Sequence, residues 1–166
     1  MNEPTIPPQF LALIRGFYEN LQESLPESLD ALGIEIELEG TTVRIYPHPE
    51  NDDLVIIDVS VMVLDPDDEE LKPGRWLAIH ELNAATRFTS GWWIVVDSGE
   101  LLMTRTLPLS EISPEELDSL VVDGLERSES LKKGFSLLGD IEPSIQFEDA
   151  PTEDSNSSIP NSPNFA

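Results

Sequence analysis

Apolar residues recur along this chain at two different periods, and the switches between them lay out its elements. Phe10, Ile14, Phe17, Leu21 and Leu25 follow at intervals of four, three, four and four, which is one face of a helix, and Leu11, Leu13 and Tyr18 widen it. The spacing predicts a helix over 8–24, ended by Pro26, then a short turn through Leu29 and Leu32 that closes at Gly33. From Ile34 the period drops to two: Ile34, Ile36 and Leu38 alternate with Glu35, Glu37 and Glu39, a half-buried strand, and Gly40 marks a turn. Val43 and Ile45 alternate with Arg44 and Tyr46 in a second strand, and a loop over 47–53 leads to a third, 54–64. The odd positions of that third strand, Val55, Ile57, Val59, Val61 and Val63, are all β-branched; the even ones, Leu54, Ile56, Asp58, Ser60, Met62 and Leu64, are mixed. One face therefore belongs to a core and the other is partly apolar.

An acidic loop, 65–70, precedes a helix over 74–86 whose apolar residues (Trp76, Leu77, Ala78, Ile79, Leu82, Ala84, Ala85) surround most of the cylinder. A helix apolar nearly all round is covered on more than one side, and in a domain this small one cover can be a partner subunit. Strands over 92–96 and 101–107 join through Asp97-Ser98-Gly99-Glu100, a hairpin turn. Ser113-Pro114-Glu115-Glu116 is a capping box that opens a last helix carrying Leu117, Leu120, Val121, Leu125, Leu131 and Phe135, with Lys132 and Lys133 expected in its final turn and Gly139 ending it. The order α-β-β-β-α-β-β-α with short turns predicts an α+β fold: an antiparallel sheet with helices on one face.

The chain has 166 residues, 33 acids against 9 bases and a net charge of −24. Residues 140–166 hold six of those acids, no base and four prolines, a composition that cannot offset its ordering entropy, so the reading is a folded domain over 1–139 and a disordered tail over 140–166. The body keeps −18. Such acidity opposes binding to phosphate backbones and anionic lipid, so nucleic acid and membrane are not expected partners. No cysteine is present, which removes disulfides, thiolate metal sites and thiol catalysis and agrees with a cytoplasmic location. The first residues show no secretory signal, and no apolar run is long enough to span a bilayer.

Catalytic constellations are sparse. His48 sits between two prolines, where a solvated turn residue is the ordinary reading, and His80 adjoins Glu81 on a helix, where neighbours in sequence do not face each other. Ser130-Leu131-Lys132-Lys133 fits S-x-x-K without the motifs that accompany it in an enzyme. A calcium loop starting at Asp65 would need glycine at its sixth position and glutamate at its twelfth, where the chain has Glu70 and Trp76. There is no glycine-rich phosphate loop. No catalytic, metal-binding or cofactor-binding residue is assigned, and an enzyme is not expected. Surface apolarity remains. Trp92 and Trp93 must point to opposite faces, which sends one to the open face with Tyr46, Leu54, Ile56 and Met62, among Glu35, Glu37 and Asp58. An apolar patch with an acidic rim is the pattern of a protein-binding surface.

The run from Arg75 through Asn83 to Phe88, the hairpin Gly91 to Met103, the exit Leu107-Pro108-Leu109 and the opening Ser113-Pro114-Glu115-Glu116-Leu117 resemble the type III secretion chaperone-like superfamily, which includes CesT-type chaperones and YbjN-like proteins. The resemblance covers residues 8–138; the acidic tail is not part of the pattern. It implies a small bacterial cytoplasmic homodimer that holds a segment of a client protein on apolar patches without ATP. Tyr46, Leu54, Ile56, Met62 and Trp93 would bind the client, and Trp76, Ile79, His80, Asn83 and Phe88 would form the dimer interface. A secretion effector is one possible client, a subunit of a larger assembly such as a microcompartment shell another. The alternatives are a YbjN-like regulatory protein and an acidic decoy that occupies a nucleic-acid-binding protein.

Overall fold

A computed structural model describes residues 6–25, 33–64, 73–86 and 90–138. The tail over 140–166, the acidic loop 65–70, Gly139 and Phe88 lie outside the described residues. The elements are α1 (Pro8–Leu21), β1 (Ile34–Leu38), β2 (Thr41–His48), β3 (Asn51–Val63), α2 (Pro73–Thr86), β4 (Trp93–Asp97), β5 (Glu100–Pro108), a single 3-10 turn (Leu109–Glu111) and α3 (Pro114–Leu138). This is the predicted order and fold class.

The sheet has five strands in the order β1-β2-β3-β5-β4, every neighbouring pair antiparallel. Two of its hairpins turn through residues of positive φ, Glu39-Gly40 and Ser98-Gly99, the geometry whose twist matches that of the strands it joins. The β2–β3 connection is tighter than the sequence suggests. The strands run on into the expected loop 47–53, the register shifts between Pro47 and His48, and His48 Nδ1 accepts the amide of Glu50 at 3.2 Å. Proline cannot donate to a ladder, and the irregularity accommodates Pro47.

The helix-covered face carries Val43 and Ile45 of β2, Val55, Ile57 and Val59 of β3 and Met103 of β5, all essentially inaccessible, and on them pack Phe10, Ile14 and Phe17 of α1 and Leu117, Val121 and Phe135 of α3. Gly124 lets α3 approach: a Cβ there would come within 2.9 Å of Val59 and 3.1 Å of the Trp92 indole. A second β3 irregularity falls between Ser60 and Met62, and buried Ser128 on α3 donates to the Ser60 carbonyl at 2.6 Å, so the helix satisfies backbone that the interrupted ladder leaves over.

The capping box is formed reciprocally: the Glu116 amide donates to Ser113 Oγ at 3.2 Å, and the Ser113 amide to Glu116 Oε2 at 2.7 Å. Lys132 and Lys133 are not in the final turn, because α3 continues to Leu138; Lys133 pairs instead with Glu129 one turn back, at 2.8 Å. No helix among the described residues is long and apolar enough to cross a membrane.

Candidate functional site

No described helix packs on the other face of the sheet. Period-two alternation puts there Glu35 and Glu37 of β1, Arg44 and Tyr46 of β2, Leu54, Ile56, Asp58 and Ser60 of β3, Leu102 and Thr104 of β5, and Trp93, Val95 and Asp97 of β4. Tyr46 stands opposite Ile56, Ile56 opposite Thr106, Leu54 opposite Pro108, and Trp93 opposite Thr104. Tyr46, Leu54 and Ile56 are half-buried, and Trp93 is 40% exposed. Trp92 is the tryptophan that enters the core, 3% exposed, its indole N–H donating to Asp123 Oδ2 at 2.8 Å.

Met62 does not join this group. After the irregularity at Ser60 it stands opposite core-facing Leu101 and packs against the core, while Val63 turns outward. One extra residue in a strand reverses the facing of everything beyond it. The residue that takes the place expected of Met62 is Leu102, which is buried yet separate from the main core cluster. The sequence carried that signal: Leu101-Leu102-Met103 cannot all point one way in a strand.

Polar groups occupy the middle of the face rather than only its rim. Arg44, the sole lysine or arginine between Arg15 and Lys72, reaches Glu35 (Nε to Oε2, 2.9 Å) and Glu100 (Nη1 to Oε2, 3.0 Å). Those partners hold its pKa above the ordinary arginine value, the bond to Glu35 foremost. Ser60 donates to the other oxygen of Glu100. Tyr46 donates its hydroxyl to Asp58 Oδ2, and burial first, then that bond and the charge of Asp58, push the phenol pKa well up, so it remains a donor. Asp58 is 7% exposed, and its Oδ1 has no hydrogen-bond partner. Glu35, Arg44, Tyr46, Asp58 and Glu100, with Asp97 and Leu102, line a concavity of about 580 Å³. Among the described residues no cluster of His, Asp and Glu is arranged to hold a metal ion.

The second candidate surface is α2. Trp76 (44% exposed) and Leu77 (52%) are presented outward, and the exposed His80 ring lies 6.4 Å from that of Trp76. Ile79 points the other way, into the protomer's own core at 3% exposure. Asn83 is engaged within the protomer too: its amide donates to the Ile94 carbonyl at 2.9 Å and accepts the Ile94 N–H at 2.8 Å, covering the backbone of edge strand β4 as a neighbouring strand would. Between α2, β4 and α3 lies a second cavity of about 410 Å³, lined by Leu82, Trp92, Ile94 and Leu131 with Asp123 and Arg127 at its side.

No protein-family profile matches the chain, and no curated protein matches it. Solved structures do. The structure of the ExsC–ExsE complex superposes with a TM-score of 0.62 at 15% identity, covering 77% of this chain and 94% of that one. The HopA1–SchA chaperone–effector complex gives 0.59 at 13% identity, over 75% and 94%. The Yersinia pestis type III secretion chaperone SycH, solved with a stable fragment of YscM2, gives 0.57 at 13% identity, over 74% and 98%. With TM-scores of 0.57–0.62 over nearly the whole of those chains, this protein has the fold of the type III secretion chaperones.

Proposed function

We propose that this protein is a non-enzymatic, ATP-independent chaperone or adaptor that holds a segment of a client protein on the open face of its sheet. The observation that carries the reading is the combination of a secretion-chaperone fold with a sheet face that presents Leu54, Ile56 and Trp93 and is covered by no described helix. Two of the similar structures are described as a chaperone–effector complex and as a chaperone bound to a protein fragment, which supports a protein client here. The client is a secretion effector or a subunit of a larger assembly, and the protein works in the cytoplasm. We further propose a homodimer built on α2, because Trp76 and Leu77 expose large apolar side chains beside His80.

Co-expression with the products of adjacent genes, followed by purification of the complex, tests client capture. Ile56→Asp and Trp93→Asp are each expected to abolish co-purification while leaving the circular dichroism spectrum intact. Capture that survives both substitutions removes the open face from consideration. Sedimentation equilibrium tests the dimer: the wild type runs at twice the chain mass, and Trp76→Asp shifts it to the monomer. A wild type that stays monomeric at high concentration excludes the α2 interface.

A further inference from the structure

The open face is short of cations in a specific place. Among its described residues stand five acids, Glu35, Glu37, Asp58, Asp97 and Glu100, against the single base Arg44. Arg44 lies directly across from Asp58 in the β2–β3 register, the position from which it could neutralise that carboxylate, yet its guanidinium is held by Glu35 and Glu100. Asp58 is left with one oxygen bonded to the Tyr46 hydroxyl and the other unpartnered, at 7% exposure and on the wall of the concavity. A carboxylate so removed from water is costly unless a donor reaches it, and a cationic donor satisfies both the charge and the lone pairs. Leu102 shares that wall with Asp58, and Ile56 lies next along β3 on the same face, so the concavity offers an unpaired acid with an apolar surface beside it.

We propose that this concavity is an anchor for a basic side chain: an extended client segment seats an arginine or lysine on Asp58, with Glu100 and Asp97 flanking it, while its neighbouring apolar side chains lie on Ile56 and Trp93 beside the concavity. The proposal rests on the open-face reading above and names the chemistry that face selects. The occupant is a partner protein, because the face repels acidic sequences such as residues 140–166 of this chain, which hold six acids and no base. Alternate residues of an extended segment repeat at about 7 Å on one side, a spacing that lets one basic and two apolar side chains face the sheet together.

The test uses the full chain and a fluorescent nine-residue peptide of alternating leucine and serine with a central arginine, against the same peptide with citrulline, which keeps the shape and loses the charge. The arginine peptide is expected to bind about ten-fold more tightly, and Asp58→Asn, which still accepts the Tyr46 hydroxyl, to bring the two to equal affinity. Raising the ionic strength should weaken the arginine peptide more than the citrulline one. Equal binding of both peptides to the wild type, with both lost in Ile56→Asp, overturns the anchor and leaves open-face capture standing. No binding of either peptide overturns both. Binding that weakens as the protein concentration rises assigns the face to a second copy of the chain and overturns the anchor too. The wild-type comparison decides the question even where Asp58→Asn fails to fold.

Discussion

On the helix-covered face of β3, Val55, Ile57, Val59 and Val61 are buried and β-branched; on the other face of the same strand stand Leu54, Ile56, Asp58 and Ser60. The two rows share one backbone and one register, so the difference lies wholly in what each row meets. The covered row meets α1 and α3 and supplies the hydrophobic free energy of folding, roughly 25 cal/mol for each Å² of apolar surface removed from water. The open row meets side chains of its own sheet: a Glu35–Arg44–Glu100–Ser60 chain of bonds and the Tyr46–Asp58 pair. A carboxylate in the first row would have no partner, whereas in the second Asp58 accepts the Tyr46 hydroxyl.

The sharpest way to break the comparison is to make equal insults on the two sides. Phe17→Ala, on α1 over the covered face and 1% exposed, is expected to cost about 3–5 kcal/mol in urea denaturation. Ile56→Asp should cost no more than about 1 kcal/mol in the same measurement, since its side chain is only half-buried and has no helix above it. If Ile56→Asp is as damaging as Phe17→Ala, the open face is a second core and not a docking surface.

Much of this contrast can be read from the sequence, and the part that cannot has an identifiable cause. Period-two alternation places Val55, Ile57 and Val59 on one side and Leu54, Ile56 and Asp58 on the other, and the Ser113–Glu116 box fixes the start of α3. The signal fails for Met62 because periodicity carries no mark of the extra residue that turns it to the core. Asn83 is similar. Its place on a nearly all-apolar helix suggests a contact between subunits, but its amide closes the Ile94 backbone within one, a pairing between residues eleven apart that only the tertiary fold creates. The polar centre of the open face was half legible, since Arg44 stands alone among acids over a long stretch of chain. Which of those acids it meets, and that it passes over Asp58, depends on cross-strand geometry.

A smaller effect probes how closely the covered side is fitted. Gly124→Ala is expected to cost about 1–3 kcal/mol, because the new methyl meets Val59 and the Trp92 ring, both fixed by the core. On the open side, Tyr46→Phe removes the one donor to Asp58 and should cost about 1–3 kcal/mol. It also alters the alkaline limb of the stability curve. The folded pKa of Tyr46 lies above its unfolded value of 10.0, so the unfolded chain releases its proton first, and the wild type loses stability as the pH rises above that value; Tyr46→Phe should lose less. An unchanged alkaline limb would mean that the hydroxyl is not held by Asp58 in solution.

The smallest effect belongs to the rim of the covered side, where Asp123 accepts from Arg127 Nε at 2.8 Å and from the Trp92 indole. The bond to Arg127, with help from Trp92 and the charges of Arg127 and Arg105, draws its pKa below the ordinary 3.8. A depressed folded pKa means that the unfolded chain takes up its proton first on acidification. The stability this carboxylate contributes is therefore fully present above pH 3.8 and is lost as the pH falls through the lower, folded value. Asp123 is 39% exposed, so water and salt screen the pairing and the contribution is modest. Asp123→Asn should flatten the acid limb of a stability curve followed by circular dichroism and leave the neutral plateau nearly unchanged, since asparagine still accepts the indole N–H. A substitution that lowers the plateau and leaves the acid limb as steep would show that Asp123 serves the fold through shape rather than charge. The rim of the covered face would then hold Trp92 and Arg127 in place without drawing on the charge of Asp123.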